Sequence, residues 1–149
     1  SSLGLGSEQK LKDDYLKTEA GKQFVLDAAK QLQEEKRLIL KSVRDENEAM
    51  YVKQGESRLH IRIASNMGKI VNAIHQNTPI DLLIVFGGDT IFGIVQALHC
   101  KGIMPQEEIL PGIVYGKLFY EDKELRVITK AGGFGEAEDL VKVLSQYAE

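Results

Sequence analysis

A glycine-containing turn directly follows an apolar run near the middle of this 149-residue chain. The run occupies residues 81–86, and it leads into Gly87, Gly88, Asp89 and Thr90 ahead of a helix-like pattern. Glycine lets the backbone approach a ligand closely, and the free N–H groups in the first turn of a helix attract anions. The turn therefore predicts a phosphate site in which Thr90 donates its hydroxyl and Asp89 contacts Mg²⁺.

The same residues allow a purely structural interpretation. A tight connection from a strand to a helix also favours glycine, and Asp89 or Thr90 would then serve only as the N-cap of the helix. The spacing leaves both interpretations open and favours phosphate binding.

A second glycine loop, at residues 130–135, also follows a strand-like run. Lys130 ends that run, and Gly132 and Gly133 come shortly after it. Acidic residues open the helix-like segment beyond the loop, and they would repel a triphosphate held close by. Gly132 and Gly133 are therefore expected to pack against the adenine or ribose of a nucleotide. Lys130 is expected either to reach toward phosphate or to be a solvated lysine.

Hydrophobic periodicity predicts the elements that hold these loops. Residues 59–63 alternate like a strand, but a helical period covers the longer window and is preferred. Residues 1–8 are expected to be a flexible leader. The predicted helices cover 18–35, 57–76 with Ser57 as N-cap, a segment from 91 that ends at Gly102, and 136–147; the predicted strands cover 37–43, 81–86, 113–120 and 125–129.

This alternation of helices and strands predicts an α/β fold. We expect a Rossmann-like three-layer arrangement, with a sheet covered by helices on both faces and a C-terminal β-hairpin that joins the sheet. Ligands of such sheets bind beyond the carboxyl ends of the strands, and both glycine loops fall at strand ends. Residues 9–149 are accordingly predicted to form one nucleotide-binding domain.

Composition excludes several other classes of protein. The net charge of −3 argues against a nucleic-acid partner, and no apolar run reaches the roughly 20 residues of a membrane span. The single cysteine, Cys100, excludes an internal disulfide and favours a cytoplasmic location. His60, His75 and His99 have no spacing typical of a metal site. Cys100 is expected to be a packed thiol.

Four segments together resemble a known family. They are 83–90, 96–98, 108–112 and 127–135, and their order and spacing resemble the C-terminal nucleotide-binding domain of the four-carbon acid sugar kinases. The resemblance implies a two-domain kinase that binds ATP with Mg²⁺ in this domain and phosphorylates acids such as threonate or erythronate. It also implies that Gly87, Gly88, Asp89 and Thr90 contact the ATP phosphates and that Gly132 and Gly133 line the nucleotide site.

The chain departs from the family pattern in two ways. We expect it to lack the N-terminal sugar-acid-binding domain and the serine-rich turn that opens the family's nucleotide-binding domain. The chain alone is therefore expected to be inactive, with its substrate domain on a longer or separate chain. The sequence leaves the oligomeric state open, a homo-oligomer included. Two alternatives stay open: a regulatory nucleotide-binding module without catalysis, and an NAD or lipid kinase with a related glycine motif. Thr90 stands where that motif has glycine.

Overall fold

Helices and strands alternate along the chain, as the sequence predicts. The computed structural model describes residues 2–5, 9, 14–36, 38–41, 57–86 and 88–130. A single 3-10 turn among these residues, Tyr15–Lys17, precedes the first helix. The helices are α1 (Glu19–Glu35), α2 (Ser57–Asn77) and α3 (Gly88–Ala97), and the strands are β1 (Ser2–Gly4), β2 (Ile39–Lys41), β3 (Leu82–Phe86), β4 (Ile103–Leu110), β5 (Ile113–Tyr120) and β6 (Lys123–Lys130).

Four of the strands form a mixed sheet in the order β3-β6-β5-β4. Strand β3 is parallel to β6, whereas β5 runs antiparallel to both of its neighbours. The turn between β5 and β6 places Glu121 and Asp122 at positive φ, 47° and 61°, which suits the twist of a two-residue hairpin. The predicted hairpin and the α/β fold are confirmed.

Strand β4 was not predicted from the sequence. It lies at an edge of the sheet and is mostly exposed, so it lacks the alternation of apolar and polar residues that marks a half-buried strand. It also contains Pro105, a residue confined to edges and bulges because it cannot donate to a strand partner. The pairing of β4 with β5 shifts register between Pro105 and Glu107. The edge position therefore explains both the composition of β4 and its weak sequence signal.

The first residues of the chain are more ordered than the expected flexible leader. Ser2–Gly4 form β1, which pairs in parallel with β2, and α1 connects the two strands. Leu5 is fully buried in a cluster that includes Val25 of α1 and Ile70 of α2. The leader prediction is therefore wrong for residues 2–5, because strand pairing and burial of Leu5 offset the entropy of a glycine-rich segment.

The boundaries of the helices follow local chemistry. The Thr18 hydroxyl accepts the Gly21 N–H at 3.0 Å, so Thr18 caps α1 as the predicted helix start at 18 implies. The longer helical period also prevailed in α2, which begins at Ser57 itself. The prediction that Gly102 ends α3 is wrong, because α3 ends at Ala97 and His99 adopts a left-handed φ of 55°. Among the described residues, no helix is long and apolar enough to cross a membrane.

The principal core lies between the sheet and the helices α2 and α3. Val71 of α2 and Ile94 of α3 pack with residues from one face of the sheet, Val85, Leu118, Leu125 and Val127 among them. A smaller cluster around Ile113 and Ile128 occupies the opposite face. The helix predicted over 136–147, which was expected to cover a face of the sheet, lies outside the described residues.

Candidate functional site

The two strands that precede the glycine loops end side by side. Strand β3 ends at Phe86 and β6 ends at Lys130, and the parallel register makes these two residues direct partners. Adjacent strands are about 4.8 Å apart, so both loops begin within one strand spacing of each other. Two segments that are separated by more than forty residues in sequence therefore start at one edge of the sheet. This edge is the carboxyl end of the parallel pair, where α/β folds bind ligands.

The first loop leads directly into α3. Gly88 and Asp89 are the first two helical residues, and Thr90 lies partly buried in the same turn. The N–H groups of this turn have no partner further up the helix, and the positive end of the helix dipole lies behind them. Gly87, which was predicted as part of the loop, lies outside the described residues. The start of α3 thus has the donors that an anion requires.

Lys130 adds a positive charge at the same edge, but on the face of the sheet opposite α3. Along β6, Leu125 and Val127 face α3, whereas Ile128 packs in the opposite cluster. Side chains alternate along a strand, so Lys130 projects on the side of Ile128. Its side chain can approach the start of α3 only around the end of the strand. Gly132 and Gly133 lie outside the described residues.

A third turn lies at this edge and was not assigned to the site from the sequence. Ile113, the first residue of β5, is the direct partner of Lys130, so the turn between β4 and β5 lies beside the end of β6. Gly112 has a φ of 80°, a conformation that favours glycine, and its N–H donates to the Glu108 carboxylate at 3.2 Å. This turn follows strand β4, and because the sequence pattern did not predict β4, it could not place the turn at this edge.

A close contact between α2 and α3 fixes the position of α3. A Cβ atom built on Gly93 would lie 2.5 Å from the carbonyl carbon of Ala64, and one built on Gly68 would lie 2.5 Å from the carbonyl carbon of Gly93. Both distances are too short for any side chain, so the two helix backbones touch here. The contact lies five residues beyond Gly88. It therefore restricts how far α3, and with it the first-turn N–H groups, can shift relative to α2.

The groups described at this edge favour an anion over a bare metal ion. Backbone N–H groups, the Thr90 hydroxyl and the Lys130 ammonium are donors, and Asp89 is the acidic residue of the first turn. Within the described residues, no cluster of three or more His, Cys, Asp or Glu side chains could hold a metal ion. These donors suit an anion such as phosphate.

Cys100 lies beyond the opposite end of α3 from this edge. Burial raises the pKa of its thiol above the usual range, so the reactive thiolate is disfavoured. Its side chain packs against the principal core. These observations fit the predicted packed thiol.

Comparison with known proteins identifies the domain. The model of a nucleotide-binding C-terminal domain matches residues 5–140. A D-threonate kinase of Salmonella typhimurium is 32% identical over 100 residues, which represent 65% of this chain and 24% of the kinase. The chain thus spans about a quarter of the length of that relative.

Solved structures show the same fold. A domain of unknown function from Bordetella bronchiseptica, crystallised with citrate as a domain-swapped dimer, superposes with a TM-score of 0.66 at 19% identity over 95% of this chain and 33% of that one. A putative tRNA synthase from Salmonella typhimurium superposes with a TM-score of 0.71 at 14% identity over 97% of this chain and 34% of that one. The match over residues 5–140, together with the similarity to the D-threonate kinase, shows that the chain belongs to the nucleotide-binding C-terminal domains of the four-carbon acid sugar kinase family.

Proposed function

We propose that this domain binds ATP together with Mg²⁺ at the edge where β3 and β6 end. The observation that carries the proposal is the pairing of Phe86 with Lys130, which starts both glycine loops at one place. A nucleotide needs a site for its phosphates and a second surface for its base and ribose. Two adjacent loops, one of which opens a helix, can supply both.

Each loop has its own part in the proposed site. Gly87, Gly88 and Thr90 hold the phosphates through backbone N–H groups and the Thr90 hydroxyl, and Asp89 contacts the Mg²⁺ ion. Magnesium bound to ATP neutralises phosphate charge and orients the nucleotide. Because α3 starts at Gly88, the helix dipole favours the phosphates at this loop.

The second loop is assigned to the rest of the nucleotide. Gly132 and Gly133 pack against the adenine or ribose. Lys130 projects on the face opposite α3, so it reaches phosphate only around the strand end. This placement makes Lys130 a weaker candidate for phosphate binding than Thr90, which is in the first turn of α3.

We further propose that the domain is the ATP-binding half of a kinase for four-carbon sugar acids. The D-threonate kinase to which it is similar is about four times as long as the matched segment. Phosphoryl transfer depends on positioning both reactants, and the proposed nucleotide site accounts for only one of them. The acid would bind an N-terminal domain on a longer or separate chain. The free Cys100 fits a reducing, cytoplasmic compartment.

Calorimetric titration with ATP and ADP, with and without Mg²⁺, tests the nucleotide site. We expect dissociation constants of about 0.1–1 mM, which correspond to roughly −4 to −5.5 kcal/mol. Gly88→Val should abolish binding while the fold persists, because a branched side chain enters the space through which the backbone approaches phosphate. Ala97→Val, in the last turn of the same helix, is the matched control and should bind like the parent.

The outcome distinguishes the site from a structural turn. If the turn is only structural, Gly88→Val lowers the melting temperature and leaves nucleotide affinity unchanged. A folded Gly88→Val protein that binds ATP as well as its parent overturns the proposal. Activity is a separate question: phosphorylation of D-threonate by this chain alone would contradict the need for a second domain, whereas nucleotide binding would stand.

Light scattering tests association into a homo-oligomer, which the domain-swapped Bordetella protein suggests.

A further inference from the structure

A histidine joins three elements at the end of the sheet away from the glycine loops. His75 lies in the last turn of α2, and its Nδ1 atom accepts the backbone N–H of Ile80 at 2.9 Å, just before β3. The other ring nitrogen, Nε2, is hydrogen-bonded to the hydroxyl of Tyr120 at the end of β5. The two rings also pack edge to face, with centroids 5.8 Å apart. His75 thus links α2, the start of β3 and the β5–β6 hairpin.

The Ile80 contact determines the protonation state of the ring. A nitrogen that accepts a hydrogen bond carries no proton, so in neutral His75 the proton is on Nε2 and is donated to the Tyr120 oxygen. Protonation of the ring would place an N–H at Nδ1 directly against the Ile80 N–H. Two donors cannot bond to each other, so this link exists only with a neutral ring.

The surroundings also disfavour the charged ring. Burial lowers the pKa of His75 below its usual value, and the nearby Lys123 ammonium lowers it further. The dipole of α2 favours a cation in the last turn of the helix, but burial and the Lys123 charge outweigh it. Tyr120 is a phenol at neutral pH, because burial raises its pKa and Cys100 and Glu121 raise it further.

We propose that His75 is a pH-sensitive latch that holds the end of α2 to β3 and to the β5–β6 hairpin when neutral and releases Ile80 when protonated. The latch is independent of the proposed nucleotide function. The effect of the latch on stability changes with pH in one direction. The folded pKa of His75 lies below the unfolded value of about 6.5, so its stabilisation is complete above that pH. The stabilisation is lost as the pH falls from about 6.5 through the folded pKa.

NMR spectroscopy of the unmodified chain tests the proposal directly. The ¹⁵N shifts of the imidazole report which nitrogen carries the proton, and their titration gives the pKa of His75. We expect the proton on Nε2 at pH 7.5 and a pKa below 6.5. Hydrogen exchange should show that the equilibrium constant for opening of the Ile80 amide rises as the pH falls. The expected rise is up to about tenfold for each pH unit from 6.5 down to the folded pKa.

Two variants separate the latch from general acid sensitivity. His75→Asn keeps a carbonyl that can accept the Ile80 N–H but cannot titrate, so the pH dependence of Ile80 exchange should disappear. His99→Asn is the matched control, since asparagine tolerates the left-handed backbone at position 99, and it should keep that pH dependence. A proton on Nδ1 at pH 7.5, a pKa of 6.5 or higher, or unchanged pH dependence in His75→Asn would each overturn the proposal.

Discussion

Gly93→Ala should weaken nucleotide binding without touching the nucleotide. The added Cβ would lie 2.5 Å from the Ala64 carbonyl carbon and 3.1 Å from the Ser65 nitrogen. The first distance is about 1 Å shorter than the ~3.5 Å optimum for carbon atoms. The atoms it meets belong to the backbone of α2, so no side chain can rotate away. Helix α3 must therefore move by about this amount relative to α2.

The movement has consequences for stability and for binding. Overpacking of this kind destabilises by roughly 1–3 kcal/mol, and the better helix propensity of alanine offsets about 1 kcal/mol. The net loss of up to about 2 kcal/mol lowers the melting temperature by at most roughly 8 °C. A displacement of about 1 Å stretches N–H···O hydrogen bonds from about 2.9 Å to nearly 4 Å, beyond their range. Losing one hydrogen bond to a charged phosphate weakens affinity by about tenfold or more.

Thermal unfolding and ATP titration on the same samples separate these effects. Titrations are run well below the melting temperature, so that the protein stays folded and instability alone cannot lower the affinity. Gly116→Ala is the matched control, because its Cβ would lie 2.7 Å from the Met104 carbonyl oxygen in the β4–β5 pair. It should lose stability and keep its affinity. If Gly93→Ala binds ATP like its parent, the contact between α2 and α3 does not position the phosphate site.

Two further predictions address the donors and the core. Thr90→Val should weaken ATP binding by about tenfold, the value of a hydrogen bond to a charged group, whereas Thr90→Ser keeps the hydroxyl and the affinity. A purely structural role of Thr90 in the first turn of α3 would instead lower the melting temperature of Thr90→Val and spare binding. Leu118 is 1% exposed in the principal core, and Leu118→Ala should lower the free energy of unfolding by about 2–5 kcal/mol. Its neighbour Phe119 is 40% exposed, and Phe119→Ala should lower it by much less. Denaturant unfolding measures both losses. Equal losses would contradict the assignment of faces in β5.

Elements with strong periodicity could be predicted from the sequence, and elements at an edge could not. The apolar run of β3, the hairpin strand β5 and the long helix α2 were predicted within one residue of their observed bounds, since each buries a clear apolar pattern. Strand β4 lies at an edge and is mostly exposed, so its residues carry no such pattern. The first strand was missed for another reason: Ser2–Gly4 acquire their structure by pairing with β2, a contact that no local signal reveals.

The candidate site shows the same division between local and long-range information. Glycines after a strand and before a helix could be recognised from spacing, although α3 begins at Gly88 and not at the predicted residue 91. The register between β3 and β6, which local sequence does not reveal, brings the starts of both loops together. The alternation of side chains along β6 places Lys130 on the face opposite α3, and this face is known only once the strand is placed in the sheet. The contact between Gly68 and Gly93 was missed because glycine inside a helix resembles a weak helix former until the facing backbone is known.

The two ends of the sheet are held in different ways, and this difference bears on function. At the end away from the loops, His75 fastens α2 to Ile80 and Tyr120 through side-chain hydrogen bonds that protonation can break. Toward the loops, α2 and α3 are held by direct backbone contact at Gly68 and Gly93, which has no titratable group. Helix α3 carries the proposed phosphate donors, so its position should be insensitive to pH even where the latch opens. Nucleotide affinity should therefore change little between pH 7.5 and 6, while the exchange of the Ile80 amide changes. A parallel loss of both would show that the latch, and not the glycine contact, positions α3.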